Sequence, residues 1–379
     1  MENLLYASQK LHVPMSEGGG EVIAFDLFSE LFKQKLLDIH ALGSFKYIQV
    51  PELNRHLCAA NAELNLSQEG CNIKTLENKE LVIPGFSHIE YKIPESYRTT
   101  LARDDHYDIT FNEMIGQFNP TYCLLQAEGA IQSWLTLRQN KNIKSLLYVQ
   151  NGLEPANFIA SGLDLPTCIS NSKFIQNNIK NKYKLDSHLL YPAVNIDRYI
   201  NNDTAKTENE KFTVLFINPN QVKGLNIFLQ LAKHFTNVNF KILEGWSPIP
   251  ANLREMAKQL GNVECIDRTW DILSIYKEVD LLLVPSQWEE AFGRVVVEAH
   301  AAGVPTLASN TGGLSEASGD AGIMVSDFKN IQPWADELKN IIENKTILEE
   351  KKPLLMDNAK RFTPDKAAKT FMEILNNLN

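Results

Sequence analysis

Leu281-Leu-Leu-Val284-Pro285-Ser286, then Glu290-Ala-Phe-Gly-Arg-Val-Val-Val-Glu298-Ala-His-Ala-Ala302, then Gly303-Val-Pro305 and Thr306-Leu-Ala-Ser309, is the stretch whose reading decides the fold. The run 281–284 is short and wholly apolar, as in a strand buried on both faces, and Pro285 and Ser286 break it. Residues 294 to 302 end in an alanine-rich segment, and Gly303 with Pro305 supplies the stop signals of a helix. Three successive valines also suit a strand. Because Thr306–Ser309 is another strand candidate, and parallel neighbours need a crossover, the helix is the better reading and the unit is βαβ.

In such units ligands bind beyond the carboxyl ends of the strands, where helix N-termini offer N–H groups and a favourable dipole to anions. Glu290 stands in that mouth. Glu298 is one turn into the helix, yet helical side chains lean toward the N-terminus, so its carboxylate reaches the same opening. Two carboxylates repel a bare phosphate. They serve either as caps or as acceptors of hydroxyl hydrogen bonds on either side of one, which means sugar and ribose.

With 379 residues and 44% hydrophobic content, the chain is long enough for two globular domains. Its net charge of −9 argues against nucleic-acid binding, which rests on clustered Lys and Arg. Lys173, Lys180, Lys182 and Lys184 read as a solvated helix face. The first residues lack a signal-peptide pattern and no stretch approaches 18 apolar residues, so a cytoplasmic protein with no integral membrane segment is expected. Five widely spaced cysteines, at 58, 71, 123, 168 and 265, read as buried thiols.

The first half opens with a strand at Leu4–Ala7 and a loop ending in Gly18-Gly-Gly20. A helix follows with Val22, Phe25, Phe28, Leu31, Phe32 and Leu36 on one side. Further strands are expected at Lys46–Val50, Cys123–Gln126 and Leu146–Gln150, and the segment 51–105 resists reading. A polar stretch from Asn201 to Lys211 marks a domain boundary. The second half has strands at 212–217 and 238–243, with a loop, Asn218-Pro-Asn-Gln-Val-Lys-Gly224, and a helix bearing Leu225, Phe228, Leu229, Ala232 and Phe235 between them. Thr363-Pro-Asp predicts an N-cap with proline at the first helical position of an amphipathic tail helix.

Gly-Gly-Gly20-Glu21, Val222-Lys-Gly224, Pro285 to Arg294, Glu298-Ala and Gly312-Gly-Leu-Ser-Glu316, in this order and spacing, resemble glycosyltransferase family 4. The resemblance implies a GT-B fold of α/β class, with two Rossmann-like domains facing across a cleft. These are an acceptor-binding domain at 1–195 and a nucleotide-sugar domain at 211–360, with a helix at 361–379 expected to cross back to the first. It implies that Glu298 accepts from the ribose, that Glu290 accepts from the donor sugar, and that the backbone of Ala291, Phe292 and Gly293 binds sugar or phosphate oxygens.

Lys223 also has a physical argument, since a cation at a helix N-terminus opposes the dipole unless an anion lies between them. A diphosphate fills that role beside Gly224. Many family members carry an arginine where this chain has Asn218, and Arg294 or Arg268 is the candidate replacement. Gly19 and Gly20 are expected to let the backbone approach the donor. Gln126 and Glu128 occupy the place of a family His-x-His pattern, which makes Glu128 a candidate to orient or deprotonate the acceptor, with His12, His88 and His106 as alternatives. Glu244-Gly-Trp246 and Asp267-Arg-Thr-Trp270 are candidate walls for the base. Gly312-Gly313 and Glu316 are expected as a tight turn and a helix cap.

The implied reaction is retaining transfer from a nucleoside diphosphate sugar to an acceptor hydroxyl on a glycan, a lipid-linked sugar or a small natural product. UDP is preferred over GDP and ADP as the donor base. Lys223 and the helix N-termini assist leaving-group departure. No Asp-x-Asp motif is present, so no bound metal is expected. Three alternatives stand beside this reading: a dehydrogenase, which lacks its third glycine after Gly20; a nucleotide-sugar epimerase; and a nucleotide-sugar-binding homologue with weak catalysis.

Overall fold

The computed structural model describes residues 1–9, 19–45, 63–65, 88–92, 96–126, 130–151, 154–200, 211–245, 248–269, 271–344 and 346–378. The chain divides into two compact units. Unit 1 is Met1–Asn171, Ile175–Ala193 and Pro364–Asn379, and unit 2 is Ser172–Phe174 and Val194–Thr363.

Unit 1 holds strands β1 (Glu2–Ser8), β2 (Leu37–Phe45), β3 (Glu63–Asn65), β4 (His88–Lys92), β5 (Arg98–Arg103), β6 (Tyr122–Gln126), β7 (Lys144–Val149), β8 (Thr167–Ser170) and β9 (Ser187–Leu189). Their order in one sheet is β3-β4-β5-β2-β1-β6-β7-β8-β9. All neighbours are parallel except the β3–β4 and β4–β5 pairs. β1 sits mid-sheet, and Leu4 to Ser8 are buried, as a strand covered on both faces requires.

The helix Gly19–Lys33 begins earlier than its sequence suggests, taking Gly19 and Gly20 into its first turn. There the N–H groups have no intrahelical partner in any case. Its buried face is Ile23, Ala24, Leu27, Phe28 and Leu31. Phe25, Phe32 and Leu36 pack only partly against that core, so the expected face is rotated by about one residue.

The strand expected at Lys46–Val50 falls outside the described residues, and the strand before it, β2, was not anticipated. Its polar residues hid it. His40 is buried, and its Nε2 lies 2.8 Å from Thr100 Oγ1 on β5, so the imidazole is satisfied inside the sheet.

The tail helix Pro364–Asn376 belongs to unit 1, where Ala367, Ala368, Phe371, Ile374 and Leu375 join the core that includes Ala24 and Phe28. Thr363 has the extended backbone of an N-cap, but its buried hydroxyl makes no hydrogen bond, so the expected side-chain cap does not form. Apolar burial holds this helix instead.

Unit 2 holds β10 (Thr213–Ile217), β11 (Asn239–Leu243), β12 (Val263–Ile266), β13 (Leu281–Val284), β14 (Thr306–Ser309) and β15 (Ile323–Val325), in the order β12-β11-β10-β13-β14-β15. All pairs are parallel, and β13 is buried at every position. The valines after Gly293 are helical, as the crossover demands, in a helix Arg294–Ala301. Order reverses beside β10 and β13, whose carboxyl ends therefore open into the crevice of a doubly wound sheet. Each unit is thus a mainly parallel α/β sheet with helical crossovers. Among the described residues no helix is long and apolar enough to cross a membrane.

Cys123 and Cys168 are buried free thiols and Cys265 is half-buried, while Cys58 and Cys71 lie outside the described residues. Burial pushes the Cys168 thiol up to about 11.

His300 ties three segments of unit 2 together. Arg361 Nη1 donates to Asn358 Oδ1 at 2.7 Å, which turns the Asn358 amide toward Ala317 O (2.7 Å) and His300 Nδ1 (2.8 Å). Nδ1 therefore accepts, and Nε2–H donates to Thr306 Oγ1 at 3.0 Å. Burial, and then the nearby Lys351, lower the His300 pKa from 6.5 to about 3. A histidine held neutral in the fold takes up its proton on unfolding first, so its contribution is complete above pH 6.5 and is lost as the pH falls toward 3. Between pH 6.5 and 5 the loss is about 2 kcal/mol. Urea unfolding of wild type and His300→Gln at both pH values checks this: the wild type is expected to lose that much more than the variant, and equal losses contradict it.

Candidate functional site

Asn218, Lys223, Gly224 and Glu290, expected at the site from the sequence, gather where β10 and β13 end. Asn218 follows β10 and turns the chain at φ 65°, a left-handed conformation that asparagine tolerates and arginine seldom adopts. Its N–H donates to Leu243 O at 2.9 Å, and its buried Oδ1 has no hydrogen-bond partner. Asn220 Oδ1 then accepts from Lys223 N at 3.0 Å, closing the loop that presents the lysine. Gly224 caps the helix Leu225–His234 at φ 91°. A Cβ there would lie 1.9 Å from Pro285 O, so only glycine lets this loop pack on the end of β13. Gln287 N donates to Val222 O at 2.8 Å and fastens the two loops.

That packing brings Lys223 to Glu290. Lys223 Nζ lies 2.5 Å from Glu290 Oε1, and Ser286 Oγ donates to the same oxygen at 2.6 Å. The anion that answers the lysine at the helix N-terminus is therefore Glu290 itself. Lys223 Nζ also sits 5.4 Å from the ring centre of Trp288, a half-exposed cation–π contact. Both hydrogen bonds go to Oε1, so Glu290 Oε2 keeps its lone pairs for a ligand. Neither Ser286 nor Trp288 was singled out from the sequence. Ser286 reads there only as a strand breaker, and Trp288 stands between Gln287 and Glu289, so its approach to Lys223 shows only in the fold.

Gly312 and Gly313, expected as a tight turn, act through close approach. A Cβ on Gly312 would lie 2.2 Å from Glu290 O, and one on Gly313 would lie 2.4 Å from Ala291 O. Gly313 N donates to Glu290 O at 2.7 Å, so the loop after β14 braces the backbone of Glu290 and Ala291. Glu316, expected to cap a helix locally, accepts from Lys173 N (2.9 Å) and Phe174 N (2.7 Å), both of unit 2 and both at the start of the helix Lys173–Tyr183.

Gly293 begins the helix of Glu298 at φ 108°, and a Cβ there would strike Leu314 Cδ2 at 2.5 Å. Phe292 is buried and packs edge-on to Phe362 at 4.9 Å between ring centres. Arg294 Nε donates to Glu298 Oε1 at 2.5 Å, one turn apart, with both side chains only 10% exposed. The arginine held in reserve for phosphate is therefore engaged by the glutamate expected at the ribose. Tyr276 lies close by, and its phenol is held well above its usual range, first by burial and then by the Glu298 carboxylate.

The other expected residues stand apart. Arg268 is exposed beyond the edge strand β12, two strands from β10. Glu244 and Asp267, expected beside the base, both take Arg254 Nη2, at 3.4 and 2.5 Å. Trp246 and Trp270 lie outside the described residues, as do Glu128, Gly18 and His12. His106 Nδ1 pairs with the adjacent Asp105 at 2.8 Å, and His88 lies on β4. Lys173, Lys180, Lys182 and Lys184 are exposed. Among the described residues no group of three or more His, Cys, Asp and Glu could hold a metal ion.

Residues 198–362 match the sequence family described as "Glycosyl transferases group 1". D-inositol 3-phosphate glycosyltransferase of Corynebacterium aurimucosum is 34% identical over 108 residues, covering 26% of this chain and 25% of the relative. The enzyme of that name from Mycobacterium sp. strain KMS is 29% identical over 172 residues, covering 41% of this chain and 39% of the relative. The matched segment thus spans well under half of these relatives. Among solved structures, Anabaena HepE in complex with UDP and glucose superposes with a TM-score of 0.70 at 15% identity, covering 99% of this chain and 100% of that one. Sucrose-phosphate synthase from Thermosynechococcus elongatus gives 0.72 at 13% identity, covering 100% and 99%. These structures share the GT-B fold, so the chain carries that fold of two Rossmann-like α/β units, and its residues 198–362 are similar to group 1 glycosyl transferases.

Proposed function

We propose that the protein is a retaining glycosyltransferase of family 4 type that moves a sugar from a nucleoside diphosphate sugar, a UDP-sugar foremost, to an acceptor hydroxyl. The observation that carries the reading is the Lys223–Glu290–Ser286 arrangement at the carboxyl ends of β10 and β13. It lies within the segment that matches group 1 glycosyl transferases. Anabaena HepE, which has this fold, was solved with UDP and with UDP-glucose, and that favours the uridine donor.

The roles follow from charge. Departure of the nucleotide leaves negative charge on its diphosphate and a cationic sugar carbon. Lys223, together with the N-termini of the helices Leu225–His234 and Arg294–Ala301, stabilises the diphosphate as that charge develops. Glu290 Oε2 accepts from donor-sugar hydroxyls while Ser286 steadies Oε1. Glu298, with one oxygen held by Arg294, turns the other to the ribose. Asn218 shapes the turn that presents Lys223. Acceptor recognition is assigned to unit 1, and the acceptor hydroxyl attacks the face from which the nucleotide leaves. Positioned charge, rather than a covalent step on the protein, supplies the catalysis.

Glu290→Gln is expected to lower the transfer rate about 100-fold or more while binding UDP as the wild type does. Unchanged turnover removes Glu290 from the reaction. Glu298→Gln, chosen because its carbonyl keeps a hydrogen-bond acceptor on Arg294 where alanine would leave none, is expected to weaken UDP about tenfold in calorimetry. Equal affinity contradicts the ribose assignment. Lys223→Met is expected to weaken UDP about tenfold or more and to leave uridine binding unchanged, and an equal loss for both ligands contradicts the phosphate role.

A further inference from the structure

In unit 1 the strands β1, β6, β7 and β8 lie side by side. Ser8 and Gln126 end β1 and β6 as register partners, two residues beyond the pair Tyr6 and Leu124. Tyr6, Leu124, Tyr148 and Ile169 all belong to the core of unit 1, so alternation puts Ser8 and Gln126 on that same face, at its carboxyl rim. Gln150 and Asn171 follow directly after β7 and β8. A polar row thus continues where the apolar rows stop.

The row is buried and unsatisfied. Gln126 is 1% exposed, and neither its Nε2 nor its Oε1 has a hydrogen-bond partner. Gln150 Nε2 and Asn171 Oδ1 are buried without partners as well. The surrounding backbone is fixed nonetheless. Asn171 Nδ2 donates to Gln150 O at 3.2 Å, and Gln150 N donates to Glu154 Oε1 at 3.2 Å. Buried amides left this way cost stability, and their grouping on three adjacent strands calls for a ligand that pairs with them.

We propose that this row, centred on the Gln126 carboxamide, binds the hydroxyls of a neutral sugar or polyol acceptor. The unpaired atoms of the row are two amide donors, on Gln126 and Gln150, two amide acceptors, on Gln126 and Asn171, and the Ser8 hydroxyl, with no formal charge among them. Neighbouring hydroxyls, each of which donates and accepts, complement that set. A phosphate meets two carbonyl oxygens that repel it and no cation in the row, so the acceptor differs from the inositol 3-phosphate named for the relatives. The inference rests on the transferase reading for the word acceptor, while the binding row itself does not.

The test is saturation-transfer NMR on the full chain without donor, using glucose, galactose, mannose and myo-inositol against glucose 6-phosphate and inositol 3-phosphate. At least one neutral compound is expected to bind about tenfold or more tightly than its phosphate ester. Gln126→Leu should abolish that binding and Gln150→Leu should weaken it. Both variants should bind UDP like the wild type, and Gln126→Leu should melt no lower, because it removes an unpaired buried amide. No signal from any neutral compound, tighter binding of the phosphates, or unchanged binding in both variants would overturn the proposal. Loss of UDP binding by the wild type would count against the transferase reading alone.

Discussion

Lys223 and Glu290 meet because backbone passes close to backbone. Gly224 presses on the Pro285 carbonyl, and Gly312 and Gly313 press on the backbone of Glu290 and Ala291. A side chain at any of the three would need space that main-chain atoms occupy, and main chain yields far less readily than a flexible side chain. Three loops that follow β10, β13 and β14 are thereby locked together. The ion pair is the consequence of that locking. The lysine is 21% exposed and the carboxylate 11%, enough desolvation to make the contact strong and enough opening for a ligand to compete for it.

The same corner shows how buried charge is managed. Glu290 takes two donors on one oxygen, and Glu298 takes Arg294 on one oxygen, so each carboxylate is neutralised in part and keeps a second oxygen with open lone pairs. Such an arrangement is poised: the charges are satisfied without a ligand, and a ligand can rearrange rather than create them. His300, two residues beyond Glu298, shows the opposite solution. It is held neutral by burial and by directed hydrogen bonds, and it serves the fold rather than the mouth.

Much of unit 2 was legible in the sequence because its local signals agree. Leu281–Val284 suits a covered strand, Gly303 and Pro305 end the helix after it, and Thr306–Ser309 needs a parallel place. The mouth residues follow from that geometry. Less legible were groups whose partners are distant in the chain. Ser286 becomes more than a breaker only when Glu290 turns back on it, and a glycine pair read as a turn proves to be a contact surface for another loop. Arg294 looked available for phosphate because the sequence does not show that its side chain is directed at Glu298. In unit 1 the β2 strand was hidden by His40, Gly43 and Ser44, since a pattern of hydrophobicity cannot register a polar residue satisfied inside a sheet. The Thr363 cap was expected from residue type alone, and the buried hydroxyl does not make it.

The central claim is that the Lys223–Glu290 corner receives the donor. A crystal structure of the protein with UDP tests it most directly. The account predicts the diphosphate within hydrogen-bond distance of Lys223 Nζ, against the N-terminus of the helix Leu225–His234, with the ribose hydroxyls on Glu298. A nucleotide bound elsewhere, with Lys223 Nζ still on Glu290 and out of reach of any phosphate oxygen, would contradict it.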